Sequence, residues 1–119
     1  MLMTLTTRSR LQAMAMALAF ATVATAAAAQ DEAVKRGEAV YAAQKCSICH
    51  AVGGKGNKMN ALDGVGKKLT ADEIRQWIVD PAGMTAKSKS TKKPPMPAKY
   101  KGLPAADLDA LVAYMSSLK

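Results

Sequence analysis

The chain has 119 residues, with 17 Lys and Arg against nine Asp and Glu for a formal net charge of +8, and that length supplies one domain at most. Two cysteines and a single histidine exclude a four-ligand structural zinc site built from Cys and His. A basic surface suits nucleic acid, anionic lipid or an acidic protein, and the amino-terminal segment narrows that choice.

Arg8 and Arg10 form a short basic region, Leu11 to Phe20 is an uncharged apolar run, and Ala24 to Ala29 is a tract of small residues ending where charge begins at Asp31. This is the pattern of a secretory signal peptide. Signal peptidase needs small side chains just before the cut, so residues 1–29 are expected to be the signal peptide and residues 30–119 the mature domain. The alanine tract also admits neighbouring cut sites. The competing reading is an uncleaved membrane anchor, since Leu11 to Ala29 is 19 residues, just long enough to cross the hydrocarbon core. Its second half is nearly all Ala and Thr, which partition weakly. Either way the domain is expected in the periplasm, away from nucleic acid. Cleavage removes Arg8 and Arg10 and no acid, leaving +6 of the formal +8.

The remaining 90 residues contain no Phe, and their aromatic side chains are Tyr41, Trp77, Tyr100 and Tyr114. A domain this small buries a modest share of its surface and usually needs a disulfide, a metal or a bound cofactor. Asp31 to Tyr41 reads as a helix with Asp31 and Glu32 at its positive end and Val34, Gly37 and Tyr41 on one face. Glycine weakens a helix, so Gly37 on the inner face suggests a second helix passing close by.

Every Cys and His of the chain lies in Cys46-Ser47-Ile48-Cys49-His50, which has the C-x-x-C-H spacing of haem attachment. Two residues between the cysteines carry the chain about one helical turn, so both sulfurs reach the vinyl groups of one porphyrin. The adjacent imidazole then bonds the iron. A Cys46–Cys49 disulfide or a thioredoxin-like redox pair competes, but the latter needs a βαβ pattern and the chain has no convincing strand. Haem attachment uses all three residues, suits export and fills the empty core.

An electron carrier is best served by two axial ligands from the protein, so that iron changes oxidation state with little change in geometry. A thioether suits the second position, because soft sulfur favours the ferrous form and raises the potential. The candidates are Met59, Met84, Met96 and Met115, each of which could equally fill a core gap. Met96 stands apart in Lys92-Lys93-Pro94-Pro95-Met96-Pro97, which is no helix face. Prolines on both sides stiffen the segment and reduce the ordering cost of holding a sulfur against iron. Met84, in an expected loop after Pro81, is the second choice. Met59 is only nine residues past His50, and Met115 falls on a helical stripe.

Ala51 to Gly66 reads as a loop wrapping one edge of the cofactor. Thr70-Ala71-Asp72-Glu73 has capping-box spacing and opens a helix with Ile74, Trp77 and Ile78 on its apolar face, ended by Pro81. Gly83 to Tyr100 reads as a second, basic loop whose lysine-rich run, Lys87 to Lys93, is a solvated rim or a dedicated site. The last helix begins near Pro104, with Leu108, Leu111, Val112, Met115 and Leu118 at helical spacing.

Taken in order, Gly37 and Tyr41, C-x-x-C-H at 46–50, Leu62-Asp63-Gly64-Val65-Gly66, Trp77-Ile78-Val79-Asp80-Pro81, Met96-Pro97 and Leu111-Val112-Ala113-Tyr114-Met115 resemble the class I cytochrome c family. The resemblance implies an all-α fold of three to four short helices around one haem c, held by two thioethers from Cys46 and Cys49 with His50 and Met96 as the iron's ligands. It implies that the first and last helices cross at right angles where Tyr114 packs on Gly37, and that Trp77 lies near a haem propionate, although plain core filling explains Trp77 equally well. Many members of the family have a proline before the Leu-Asp-Gly turn whose carbonyl accepts from the ligand histidine. This chain has Lys58-Met59-Asn60-Ala61 there, which leaves the partner of His50 open, with another backbone carbonyl of that loop as one candidate.

The function expected on these grounds is a soluble, monomeric periplasmic single-electron carrier without enzymatic activity. Its haem edge is ringed by some of Lys45, Lys55, Lys58, Lys87, Lys89, Lys92, Lys93 and Lys99. Such a rim speeds transient encounter with acidic redox proteins; the resemblance suggests a terminal oxidase or a quinol-cytochrome c reductase in the membrane. Two alternatives remain: the haem subunit of a periplasmic oxidoreductase complex, and a gas sensor or weak peroxidase with an open iron position.

Overall fold

The computed structural model describes the backbone from Met3 to Lys119 and side chains from Val23 onward. The chain divides into two compact units, Met1–Glu32 and Ala33–Lys119. The basic and apolar regions expected of a signal peptide, Arg8, Arg10 and Leu11 to Phe20, lie outside the described side chains. Among the described residues no helix is long and apolar enough to cross a membrane.

Helix α1 spans Met3–Ala43. Asp31 and Glu32 therefore lie inside a helix and not at its amino end, a departure from the sequence expectation. Alanine is the strongest helix former, and no Gly or Pro separates the alanine tract from Val34 to stop the helix.

In the second unit α1 contributes Val34, Gly37, Val40 and Tyr41 to the interior. The last helix, α5, spans Ala105–Ser117 with Pro104 at its N-cap and Ala110, Leu111, Val112, Tyr114 and Met115 buried, as the leucine stripe predicts. The two helices meet at Gly37, where a β-carbon would run into the Ala110 carbonyl and come within 2.6 Å of the Tyr114 β-carbon. Beside this contact the Tyr41 and Tyr114 rings pack edge to face with centroids 5.8 Å apart, an arrangement worth about 1 kcal/mol beyond its buried area. Arg36 closes the outside through two bonds to Asp107, at 3.0 and 2.8 Å.

Exchanging glycine for alanine in a helix interior ordinarily gains about 0.5–1 kcal/mol. At Gly37 the new methyl meets backbone, which cannot swing aside, and overpacking of that kind costs about 1–3 kcal/mol. Gly37→Ala is thus expected to lower the unfolding midpoint by a net ~1–2 kcal/mol, measurable by denaturant titration. An unchanged or raised midpoint would contradict the close crossing.

The helix expected after Thr70 is α3, Ala71–Val79, and its capping box is complete. The Thr70 N–H donates to Glu73 Oε2 at 2.8 Å and the Glu73 N–H to Thr70 Oγ1 at 3.2 Å. Ile74 and Ile78 are buried and Trp77 half-buried. Thr70's backbone and hydroxyl donors hold the Glu73 carboxyl below the usual carboxylate range. A folded-state value below the unfolded one means that this stability is present above about pH 4.3 and is lost as the pH falls through the lowered value. Melting temperature measured against pH is expected to show a shallower acid limb in Glu73→Gln; curves that stay parallel would refute it.

Two stretches read as loops contain regular structure. Pro81 does not simply end α3: Asp80 caps a new helix, α4, Pro81–Ser88, by accepting the Gly83 N–H at 3.1 Å. Proline's fixed φ suits the first helical turn, so Asp80-Pro81 stops one helix and starts the next. Met84 accordingly lies on a helix and not in a loop. Between residues 51 and 69 the chain forms a minimal antiparallel hairpin, β1 Ala51–Val52 with β2 Lys55–Gly56, and a single helical turn, α2, Val65–Lys68. These runs are too short for hydrophobic periodicity to register. The architecture is all-α, with five helices among the described residues in place of the three to four expected. Its core joins Val40, Tyr41, Ile74, Ile78, Tyr100, Leu111, Val112, Tyr114 and Met115.

Candidate functional site

The segment from Cys46 to His50 is wound as one helical turn. Cys46–Ile48 is a 3₁₀ turn, and the Cys46 carbonyl accepts from the Cys49 N–H at 3.1 Å and the His50 N–H at 2.9 Å. The hairpin fastens it from below, with the Asn57 N–H shared between the carbonyls of Ser47 and His50 at 3.1 and 3.0 Å. Gly56 makes this approach possible. Its φ is +106°, and a β-carbon there would collide with the His50 carbonyl and lie 3.0 Å from that of Ser47.

Beside this turn lies an apolar cavity whose lining includes Tyr41, Cys46, His50, Trp77, Ile78, Met96 and Met115. A second is lined in part by Lys45, Cys46, Cys49, His50, Asn60, Trp77, Lys92 and Met96. Both share Cys46, His50, Trp77 and Met96, so they are the inner and outer parts of one cleft.

The cleft brings together all five residues singled out in the sequence, Cys46, Cys49, His50, Trp77 and Met96. The two thiols are not joined in a disulfide. Burial pushes the Cys46 thiol up, partly offset by a backbone hydrogen bond and Lys99. Among the described residues no three Cys, His, Asp or Glu converge as a metal site. Of the four methionines, Met84 does not line either cavity and Met59 is 84% exposed. Met115 lines the inner wall from the buried face of α5, and Met96 alone lines both parts.

The acceptor for His50 is the Asn60 carbonyl, 3.0 Å from Nδ1. A carbonyl can only accept, so Nδ1 carries the proton and the lone pair is on Nε2, the tautomer a metal-binding imidazole needs. Tyr41 supports the same residue, its hydroxyl donating to the His50 carbonyl at 3.4 Å. A backbone acceptor has no residue signature, so Asn60 itself could not be named from the sequence once the usual proline was missing.

A largely apolar cleft bordered by Lys45 and Lys92 fits a flat macrocycle with one charged edge. The cytochrome c family model matches residues 34–119. The chain belongs to the cytochrome c family. No curated protein and no solved structure matches it. For a cytochrome c the cofactor is covalent haem c with its iron, and Cys46 and Cys49 have the spacing that its attachment uses. Cytochromes c work by haem-based electron transfer, are generally carriers and not enzymes, and typically face the periplasm or the extracellular space.

Proposed function

We propose that this cytochrome c is a class I, monohaem, soluble periplasmic carrier of single electrons, exported by a signal peptide at residues 1–29 and acting as a monomer. The observation that carries the reading is the cleft shared by Cys46, His50 and Met96, with Nδ1 of His50 already engaged by a backbone carbonyl. When bound, haem supplies a one-electron ferric/ferrous couple. The residues that would hold it are Cys46 and Cys49, through thioether bonds, with Nε2 of His50 and the Met96 sulfur as the ligands to its iron. The prolines flanking Met96 limit what the sulfur's loop must reorder between oxidation states. Apolar side chains exclude water from the inner cleft, and Trp77, which lines both parts of the cleft, would donate its indole N–H to a carboxylate of the bound group.

Partner choice follows from the outer surface. Lys45, Lys55, Lys58, Lys87, Lys89, Lys92, Lys93 and Lys99 are all exposed, and Lys45 and Lys92 border the outer cleft. Lys99 lies over the Tyr100 ring, 5.2 Å from its centroid. A cationic rim speeds encounter with an acidic redox protein, such as a membrane oxidase or quinol-cytochrome c reductase, and releases it readily at physiological salt. A permanently docked haem subunit calls for a broad apolar face. The large apolar side chains exposed in the second unit are only Ile48 and Met59 among the described residues, which favours the carrier.

Carbon monoxide tests the reading. The reduced native protein is expected to take it up only very slowly, through rare opening of the Met96 loop, and the oxidised protein is expected to show the weak long-wavelength band of methionine-sulfur ligation. Ready binding by native protein would instead support an open iron position, as in a gas sensor or weak peroxidase.

A further inference from the structure

The segment carrying Met96 is weakly anchored. After Ser90, whose N–H donates to the Thr85 carbonyl at 3.1 Å, it holds Pro94, Pro95 and Pro97, which have no N–H to give. Regular structure resumes only at the 3₁₀ turn Ala98–Gly102. One side-chain bond crosses from this segment to the opposite loop: Lys92 Nζ donates to the Met59 carbonyl at 3.2 Å. The next carbonyl along, that of Asn60, is the one that engages His50 Nδ1. Both belong to a single 3₁₀ turn, Lys58–Asn60, held from its other end by Asn57, whose side chain accepts the Met59 N–H at 3.1 Å.

We propose that Lys92 is a positioning residue that straps the Met96 segment to the turn orienting His50, so that one ammonium steadies both axial sides of the cleft. The inference rests on the assignment of His50 and Met96 as the iron's ligands. It separates Lys92 from the other rim lysines, which act on encounter alone. Lys93, its neighbour, has the same charge and is exposed, and no bond from its ammonium to the opposite loop is found among the described residues. Loss of the strap frees the sulfur's loop to leave the iron more often and leaves the Asn60 carbonyl less firmly placed against the imidazole. A charge-assisted hydrogen bond is worth about a factor of ten in such an opening equilibrium.

The test compares Lys92→Ala, Lys92→Gln, Lys92→Arg, Lys93→Ala and Met96→Ala as purified holoproteins. Carbon monoxide uptake by the reduced form and the methionine-ligation band of the oxidised form are the readouts. Lys92→Ala is expected to take up carbon monoxide about tenfold faster than wild type and to show a weakened band. Lys92→Arg and Lys92→Gln, which keep an N–H donor, are expected to recover most of the loss, and Lys93→Ala to match wild type. If Lys92→Ala is indistinguishable from Lys93→Ala while Met96→Ala loses the band, the strap is wrong and the ligand assignment stands. An unchanged spectrum in Met96→Ala overturns both.

Discussion

Met96→Ala is expected to abolish the long-wavelength band, open the iron to carbon monoxide and lower the midpoint potential by roughly 0.1–0.3 V, within the ~0.8 V range that axial ligands command. As a ligand the Met96 thioether would stabilise the ferrous state, and the other three methionines are less well placed for that role. Met84 does not line the cleft, Met59 points to solvent at 84% exposure, and Met115 is packed among Leu111, Tyr114 and Val112 in the core. Met84→Ala is therefore expected to leave spectrum and potential nearly unchanged. Potentiometric titration of the two variants side by side decides the matter, and a large shift in Met84→Ala with none in Met96→Ala would reassign the ligand.

The double variant Cys46→Ala/Cys49→Ala is expected to lose covalent attachment entirely, giving an intact mass equal to the polypeptide alone. The consequence reaches the fold. The inner cleft is walled by Leu62, Val65, Leu69, Ile74, Ile78 and Leu111, apolar side chains that need a partner to exclude water. A tether that keeps that partner in place in the unfolded chain acts as a loop-closing cross-link does, at about 2–4 kcal/mol. At ~4–8 °C per kcal/mol for a domain of this size, the fall in melting temperature is roughly 10–30 °C. Retention of wild-type stability by the double variant would mean that the cleft does not depend on a tethered group.

What was legible in the sequence was whatever leaves a local pattern. The C-x-x-C-H turn, the Thr70 capping box and the α5 stripe each encode their structure within a few neighbouring residues, and each is found where expected. Gly37 was legible for a different reason: glycine on the inner face of a helix announces a close neighbour, and Ala110 and Tyr114 are that neighbour. The misreadings share a cause as well. Pro81 reads as a terminator because proline cannot continue a helix, yet Asp80 before it makes the same pair a helix start. Asp31 and Glu32 looked like first-turn acids, but the alanine tract carries the helix straight through them. The hairpin at Ala51–Gly56 is held by backbone pairing and by Gly56's contact with the haem-motif carbonyls, and neither shows in side-chain periodicity. Likewise the two bonds that steady the ligand loops, His50 to Asn60 and Lys92 to Met59, end on main-chain oxygens 10 and 33 residues away, where residue identity is silent.

Proteolytic mapping of the purified protein by mass spectrometry tests most directly whether both cysteines are bonded to one porphyrin whose iron takes the neighbouring imidazole as a ligand. The peptide containing Cys46 to His50 is expected to carry the added mass of a single haem, and acid-acetone treatment to leave the red colour with the protein. The same peptide recovered with free thiols or an internal disulfide, and the colour passing into the solvent, would contradict it.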